Sequence, residues 1–183
     1  FAAFADRCPT IAASICELSD RYTVHIDGLG AKIYKHYMQL GSWSDSDKHM
    51  PEKLQALVDK KRVILIPDIL PEGASEENRG SPSVREYIWK YRNALARGEI
   101  GGPLSIIVCS SASIDTGMSA FYAPIILPDR DSAVFSTGYH FEGTAMYQIW
   151  QAGGQKVAKG YTVKINGLNV PVACDDYHLD FSA

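Results

Sequence analysis

The sequence predicts an α+β protein, with a helical N-terminal half packed on a largely antiparallel C-terminal sheet of about five to six strands. Up to residue 98, apolar residues recur at the three- and four-residue spacing of helices. From residue 103 onward, β-branched and aromatic residues alternate between frequent turn signals. These observations indicate one domain over 1–183, helix-rich over 1–98 and β-rich over 103–183, with a surface loop or subdomain boundary at 67–83.

The composition is that of an ordinary globular domain. The chain has 183 residues, of which 46% are hydrophobic and 21% are charged. Its 18 basic and 21 acidic residues give a net charge of -3, which removes the usual electrostatic basis for binding nucleic acid. Because no apolar run approaches the roughly 20 residues of a membrane-spanning helix, we expect a soluble chain.

The first residue and the cysteines leave the compartment open. The chain begins with Phe1 rather than Met, which favours a processed or excised N-terminus and is compatible with secretion. Its four cysteines are irregularly spaced and form no C-x-x-C pair, so no zinc site is predicted. Two disulfides and four buried free thiols are both consistent with this number.

Four helices and two strands are predicted in the first half. The strongest helix signal combines Ser81 or Ser83, Pro82 and Glu86, which suit a capped N-terminus, with a following apolar stripe that ends at Gly98. The predicted helices cover 8–19, 28–40, 51–62 and the segment from 81 or 83 to 97, and the predicted strands cover 21–26 and 63–66.

Six strands are predicted in the second half. Asn166-Gly167 is the strongest hairpin signal, because both central residues of a type I′ turn require positive φ. The predicted strands cover 104–110, 118–127, 133–141, 144–151, 160–165 and 168–173.

Candidate chemistry centres on Cys8 and His140. A thiol at a helix N-terminus experiences the helix dipole, which favours the thiolate that a nucleophile requires. His140 is flanked by Gly138 and Gly143, which permit a bulge, and Glu142 lies on the same face of an extended strand. We therefore predict a thiol-dependent amide hydrolase with Cys8 as nucleophile, His140 as base and Glu142 as orienting group.

This order of residues, an early Cys on a helix and a late His on a sheet, resembles that of papain-like and NlpC-type amide hydrolases. The resemblance is one of order and element type. The competing interpretation is structural, because Ile11 and Ile15 beside Cys8 are typical of a core helix, and His140 and Glu142 can form a solvated cross-strand pair.

Two other classes of function are open. Tyr139, Phe141 and Trp150 could present aromatic rings to a glycan, lipid headgroup or protein, as in a secreted β-rich binding module or a membrane-active toxin. A non-catalytic subunit of a larger assembly is the further alternative. No cofactor or metal is predicted, since GxGxxG, GxxxxGK[ST], HExxH and GxSxG do not occur.

Overall fold

The computed structural model describes residues 1–39, 49–102, 105–137, 140–153 and 161–179. Its α-helices are α1 (Cys8–Leu18), α2 (Leu29–Gln39), α3 (Met50–Asp59), α4 (Pro82–Ala96), α5 (Gly117–Ile126) and α6 (Ala145–Gly153). Its strands are β1 (Thr23–Asp27), β2 (Val63–Leu65), β3 (Ser105–Cys109), β4 (Ala133–Thr137), β5 (Thr162–Ile165), β6 (Leu168–Pro171) and β7 (Asp175–Leu179). None of the helices in these ranges has both the length and the apolar character that a membrane span requires.

Five of the strands run parallel. β1 pairs with β2 on one side and with β3 on the other, and β4 pairs with β7. Residues 1–3 lie between β3 and β4 and join these two groups through backbone hydrogen bonds. Ala2 N donates to Phe135 O at 2.8 Å, and Ala3 N donates to Cys109 O at 3.1 Å. The spatial order is therefore β2, β1, β3, residues 1–3, β4 and β7.

The predicted mixture of helices and strands is confirmed, but the predicted antiparallel C-terminal sheet is wrong. From β1 to β4, one or two α-helices separate each strand from the next, and such helical crossovers allow neighbouring strands to run parallel. Among the described strands only β5 and β6 are antiparallel, and they form the predicted hairpin at Asn166-Gly167, where φ is 50° and 80°.

Two predicted strands, 118–127 and 144–151, are helices α5 and α6. Both segments contain β-forming residues that alternate locally, but their buried side chains recur at helical spacing. In α6 these are Ala145, Met146 and Ile149. Thr144 Oγ1 also accepts a hydrogen bond from Tyr147 N at 3.2 Å, which caps the first turn. Tertiary burial and capping therefore decide the structure over local β propensity.

Most of the other helices and strands lie close to the predicted positions. The four predicted helices of the first half are present, and Ser81 is the N-cap residue of α4, where its Oγ accepts from Val84 N at 3.4 Å. The Ser83 alternative is therefore wrong. The strand predicted over 133–141 ends at Thr137 in β4, residues 138–139 lie outside the described ranges, and β7 was not predicted.

Helices cover both faces of the parallel strands. Val24 and Ile26 of β1 pack in one hydrophobic cluster with α1, α2 and α3. His25 and Asp27 alternate with them and face α4 and α5, where Tyr91 is the partner of His25 and Arg92 that of Asp27. This two-sided arrangement is that of a doubly wound α/β sheet.

Candidate functional site

The parallel strands have a topological switch point between β1 and β3. The chain leaves β1 into α2 on one face and leaves β3 into α5 on the other, as the separate packing of these helices shows. In open α/β sheets, the carboxyl ends of two such strands border a crevice where ligands commonly bind. We call the region where the 27–30 turn meets the 110–117 loop the switch-point crevice.

The two sides of the crevice approach closely at Gly28. This residue has a φ of 66°, and a Cβ placed on it would lie 2.9 Å from Met118 Cγ and 3.4 Å from Ser110 Oγ. Gly30 is needed for a different contact, because its Cβ would lie 2.6 Å from Cys8 Sγ. Glycine at 28 and 30 thus permits the turn, the approach of the opposite loop and the packing of α1 on α2.

The 110–117 loop is folded back on the start of α5. Ser119 Oγ accepts from Ser111 N at 2.7 Å and donates to Thr116 O at 3.0 Å, while Ser119 N donates to Ser110 O at 3.0 Å. Ser111 Oγ and Ser113 Oγ are 2.9 Å apart. These bonds hold the loop in one conformation against α5.

A second set of contacts ties the same loop to α6. The Asp115 carboxylate accepts from Ala145 N at 3.1 and 3.2 Å, and Ser113 O accepts from Met146 N at 3.2 Å. Burial raises the pKa of Asp115 above its ordinary value, and the hydrogen bond from Ala145 N opposes this shift. The loop is therefore held by two helices at once.

The 27–30 turn is held by a buried ionic network. Asp27 is fully buried and accepts from Arg92 Nε and Nη2, each at 2.7 Å, and from Tyr122 Oη at 2.7 Å. Gly28 N also donates to Asp27 Oδ1 at 2.7 Å. The Arg92 guanidinium carbon lies 4.5 Å from the centre of the Trp89 ring. Asp27 thereby connects the turn to both α4 and α5.

His25 lies below this network on the same face of β1. It is buried, and its Nδ1 is 3.3 Å from Tyr91 Oη. Within the described ranges of the chain, no hydrogen-bond partner reaches its Nε2. Burial lowers the pKa of His25 to about 4, so the ring is neutral at pH 7.

Cys8 has the environment of a core thiol. It is fully buried at the start of α1, and its Sγ donates to Phe4 O at 3.5 Å. Burial raises the pKa of Cys8 to about 12, whereas a nucleophilic cysteine has a lowered pKa. Its catalytic role stays a prediction that these properties do not favour. Cys16, Cys109 and Cys174 are also buried free thiols with raised pKa values.

We expect native thiols to react slowly with iodoacetamide at pH 7. The low thiolate fraction predicts alkylation of Cys8 about a thousandfold slower than that of an ordinary exposed cysteine. The measurement is the rate at each cysteine by peptide mass spectrometry, with urea-unfolded protein as the control in which all four react. Rapid alkylation of Cys8 alone in the native protein would contradict this expectation and support the hydrolase.

The other two predicted catalytic residues lie beyond the carboxyl end of β4. His140 is buried, and its Nε2 is 3.0 Å from Ser136 Oγ, whereas Glu142 is exposed. The extended strand expected to align His140 with Glu142 ends at Thr137. The Cys8 thiol donates to Phe4 O, whereas the His140 ring lies against Ser136, and the pairing of Cys8 with His140 stays a prediction. The bulge expected at Gly138 falls outside the described residues.

Two of the three predicted binding aromatics lie within the described ranges, and the binding surface that they would form stays a prediction. Phe141 and Trp150 are exposed, and the Trp150 ring centre is 5.7 Å from that of Tyr147 and 6.4 Å from that of His140. Tyr139 lies outside the described ranges. In those ranges, moreover, His, Cys, Asp and Glu form no group of three or more that could hold a metal ion.

Sequence reasoning missed the residues of the switch-point crevice. The available signal was Asp27-Gly-Leu-Gly directly between a strand and a helix, which we interpreted only as the start of the helix predicted over 28–40. Ile33 occupies the position of the third glycine of GxGxxG, so a search for that motif does not find the turn. No protein-family model matches the chain, and no curated protein matches it significantly.

Proposed function

We propose that this chain is a binding protein that holds a small polar molecule in the switch-point crevice. The observation that carries the proposal is the divergence of the chain from β1 and β3 to opposite faces of the sheet. Gly28 in the 27–30 turn lies close to Ser110 and Met118 on the other side. The bonds within each side support it, because they preorganise the crevice.

The chemistry of the crevice favours an oxygen-rich ligand. Ser110, Ser111 and Ser113 are half-buried and supply hydroxyl groups. The N-termini of α2 and α5 also lie at this edge, and the positive ends of their dipoles favour electron-rich groups. Asp27 is neutralised by Arg92 and therefore does not repel such a ligand.

Substitution of Gly28 tests the crevice. We expect Gly28→Ala to weaken ligand binding at least about tenfold, because the new Cβ would push Met118 and the opposite loop away. Ligands are first identified by thermal-shift screening of polar metabolites, and dissociation constants are then measured by calorimetry.

Gly73→Ala is the matched control. Gly73 has a similar φ of 79°, but a Cβ there meets nothing within 4 Å. This variant therefore carries the same backbone strain without the contact, and we expect it to bind ligand like the unmodified protein. Equal affinity in all three proteins would contradict the proposed site.

A further inference from the structure

A pocket lies beneath α5, next to the switch-point crevice. It encloses about 400 Å³, some of which is open to solvent, between α5, β3, β4 and residues 1–2. Small side chains from three elements line the pocket, namely Ala2, Ala123 and Ala133.

The wall of the pocket is mainly apolar, and its polar groups are already engaged. Tyr122 Oη donates to Asp27, and Ser119 Oγ is bonded to the 110–117 loop. Phe1 N donates to Ile107 O at 2.6 Å. Burial raises the pKa of Cys109 to about 12, so its thiol is neutral. A charged group entering this space would lose its hydration without gaining a partner.

Ser119 connects the pocket to the crevice. Its side chain lines the pocket, and the same Oγ accepts from Ser111 N at 2.7 Å in the crevice loop. We propose that the pocket is a subsite for a compact, uncharged apolar group, such as a short alkyl chain or a single aromatic ring. This inference rests on the proposed function and adds the class of ligand: an amphipathic small molecule with its polar end in the crevice.

Toluene, indole and benzoate are the probes, observed by titration of backbone amide NMR signals. We expect toluene and indole to shift signals of α5, β4 and residues 2–3. Benzoate carries a charge on a similar ring and should bind at least about tenfold more weakly. Binding of benzoate as tight as that of toluene, or no binding of either apolar probe, would overturn the inference.

Ala123→Leu fills the pocket, and we expect it to reduce probe affinity at least about tenfold. Ala133→Leu is the second variant, because Ala133 is exposed at the rim and its substitution does not burden the core. Ala56→Leu on the exposed face of α3 is the control and should bind normally. Unchanged probe binding in a folded pocket variant would refute the subsite. The Gly28→Ala experiment with polar ligands tests binding in the crevice independently of the apolar subsite.

Discussion

Arg92→Met is expected to destabilise the protein by about 3 to 5 kcal/mol, because it leaves a charge buried without its partner. Asp27 is fully buried, the Arg92 side chain is 12% exposed, and their two hydrogen bonds are both 2.7 Å long. Removing the guanidinium leaves a buried carboxylate with only the Tyr122 hydroxyl and Gly28 N as donors. The measurement is the free energy of unfolding by urea denaturation.

Lys90→Met on the same helix is the matched control. Lys90 pairs with Glu86 at 2.7 Å, but both side chains are largely exposed, so its loss should leave the free energy of unfolding nearly unchanged. The double variant Asp27→Leu/Arg92→Met should recover some of the lost stability, because no unpaired charge remains buried. An Arg92→Met variant as stable as Lys90→Met would show that the network does not hold the turn.

His25 is expected to make the protein less stable in acid. Its pKa is about 4 in the folded protein and 6.5 as the ordinary value, so the unfolded chain binds the proton more readily. Above pH 6.5 the ring is neutral in both the folded and the unfolded state, so His25 does not reduce the free energy of unfolding. That free energy declines as the pH falls towards 4. The loss attributable to His25 reaches about 3 kcal/mol at the lower limit.

His25→Phe removes this titration while keeping a ring of similar size. We expect the variant to match the unmodified protein within about 1 kcal/mol at pH 8 and to be more stable at about pH 4.5. Urea denaturation at intervals between these pH values measures the difference in free energy of unfolding between the two proteins. Both proteins have the same carboxylates, so the contributions of these groups cancel in the difference. His49→Gln is the control, because the His49 side chain is 92% exposed. Parallel pH profiles for His25→Phe and the unmodified protein would contradict the assignment.

The sequence predicted local structure better than it predicted strand pairing. Stripes of apolar residues and turn residues identified α1 to α4 and the hairpin at Asn166-Gly167, because these signals act within a few residues. The pairing of β1 with both β2 and β3 depends on contacts between distant segments, which periodicity does not encode. The same limitation concealed the insertion of residues 1–3 between β3 and β4.

The candidate site was less predictable than the fold. Asp27 and Arg92 are 65 residues apart, and nothing in either local sequence indicates that they meet. The predicted position of Cys8 at the start of a helix is correct. Burial reverses the expected effect of that position on its pKa, and burial is a property of tertiary packing. Gly28 carried a local signal, but its contact with Met118 depends on the fold.

The most direct test of the switch-point crevice is to map a bound ligand. Backbone amide NMR signals are followed while a polar compound identified by thermal-shift screening is titrated into the unmodified protein. The proposal predicts that the largest changes fall on residues 28–30 and 110–119. Changes confined to the region from Phe141 to Trp150, with those two segments unaffected, would contradict it.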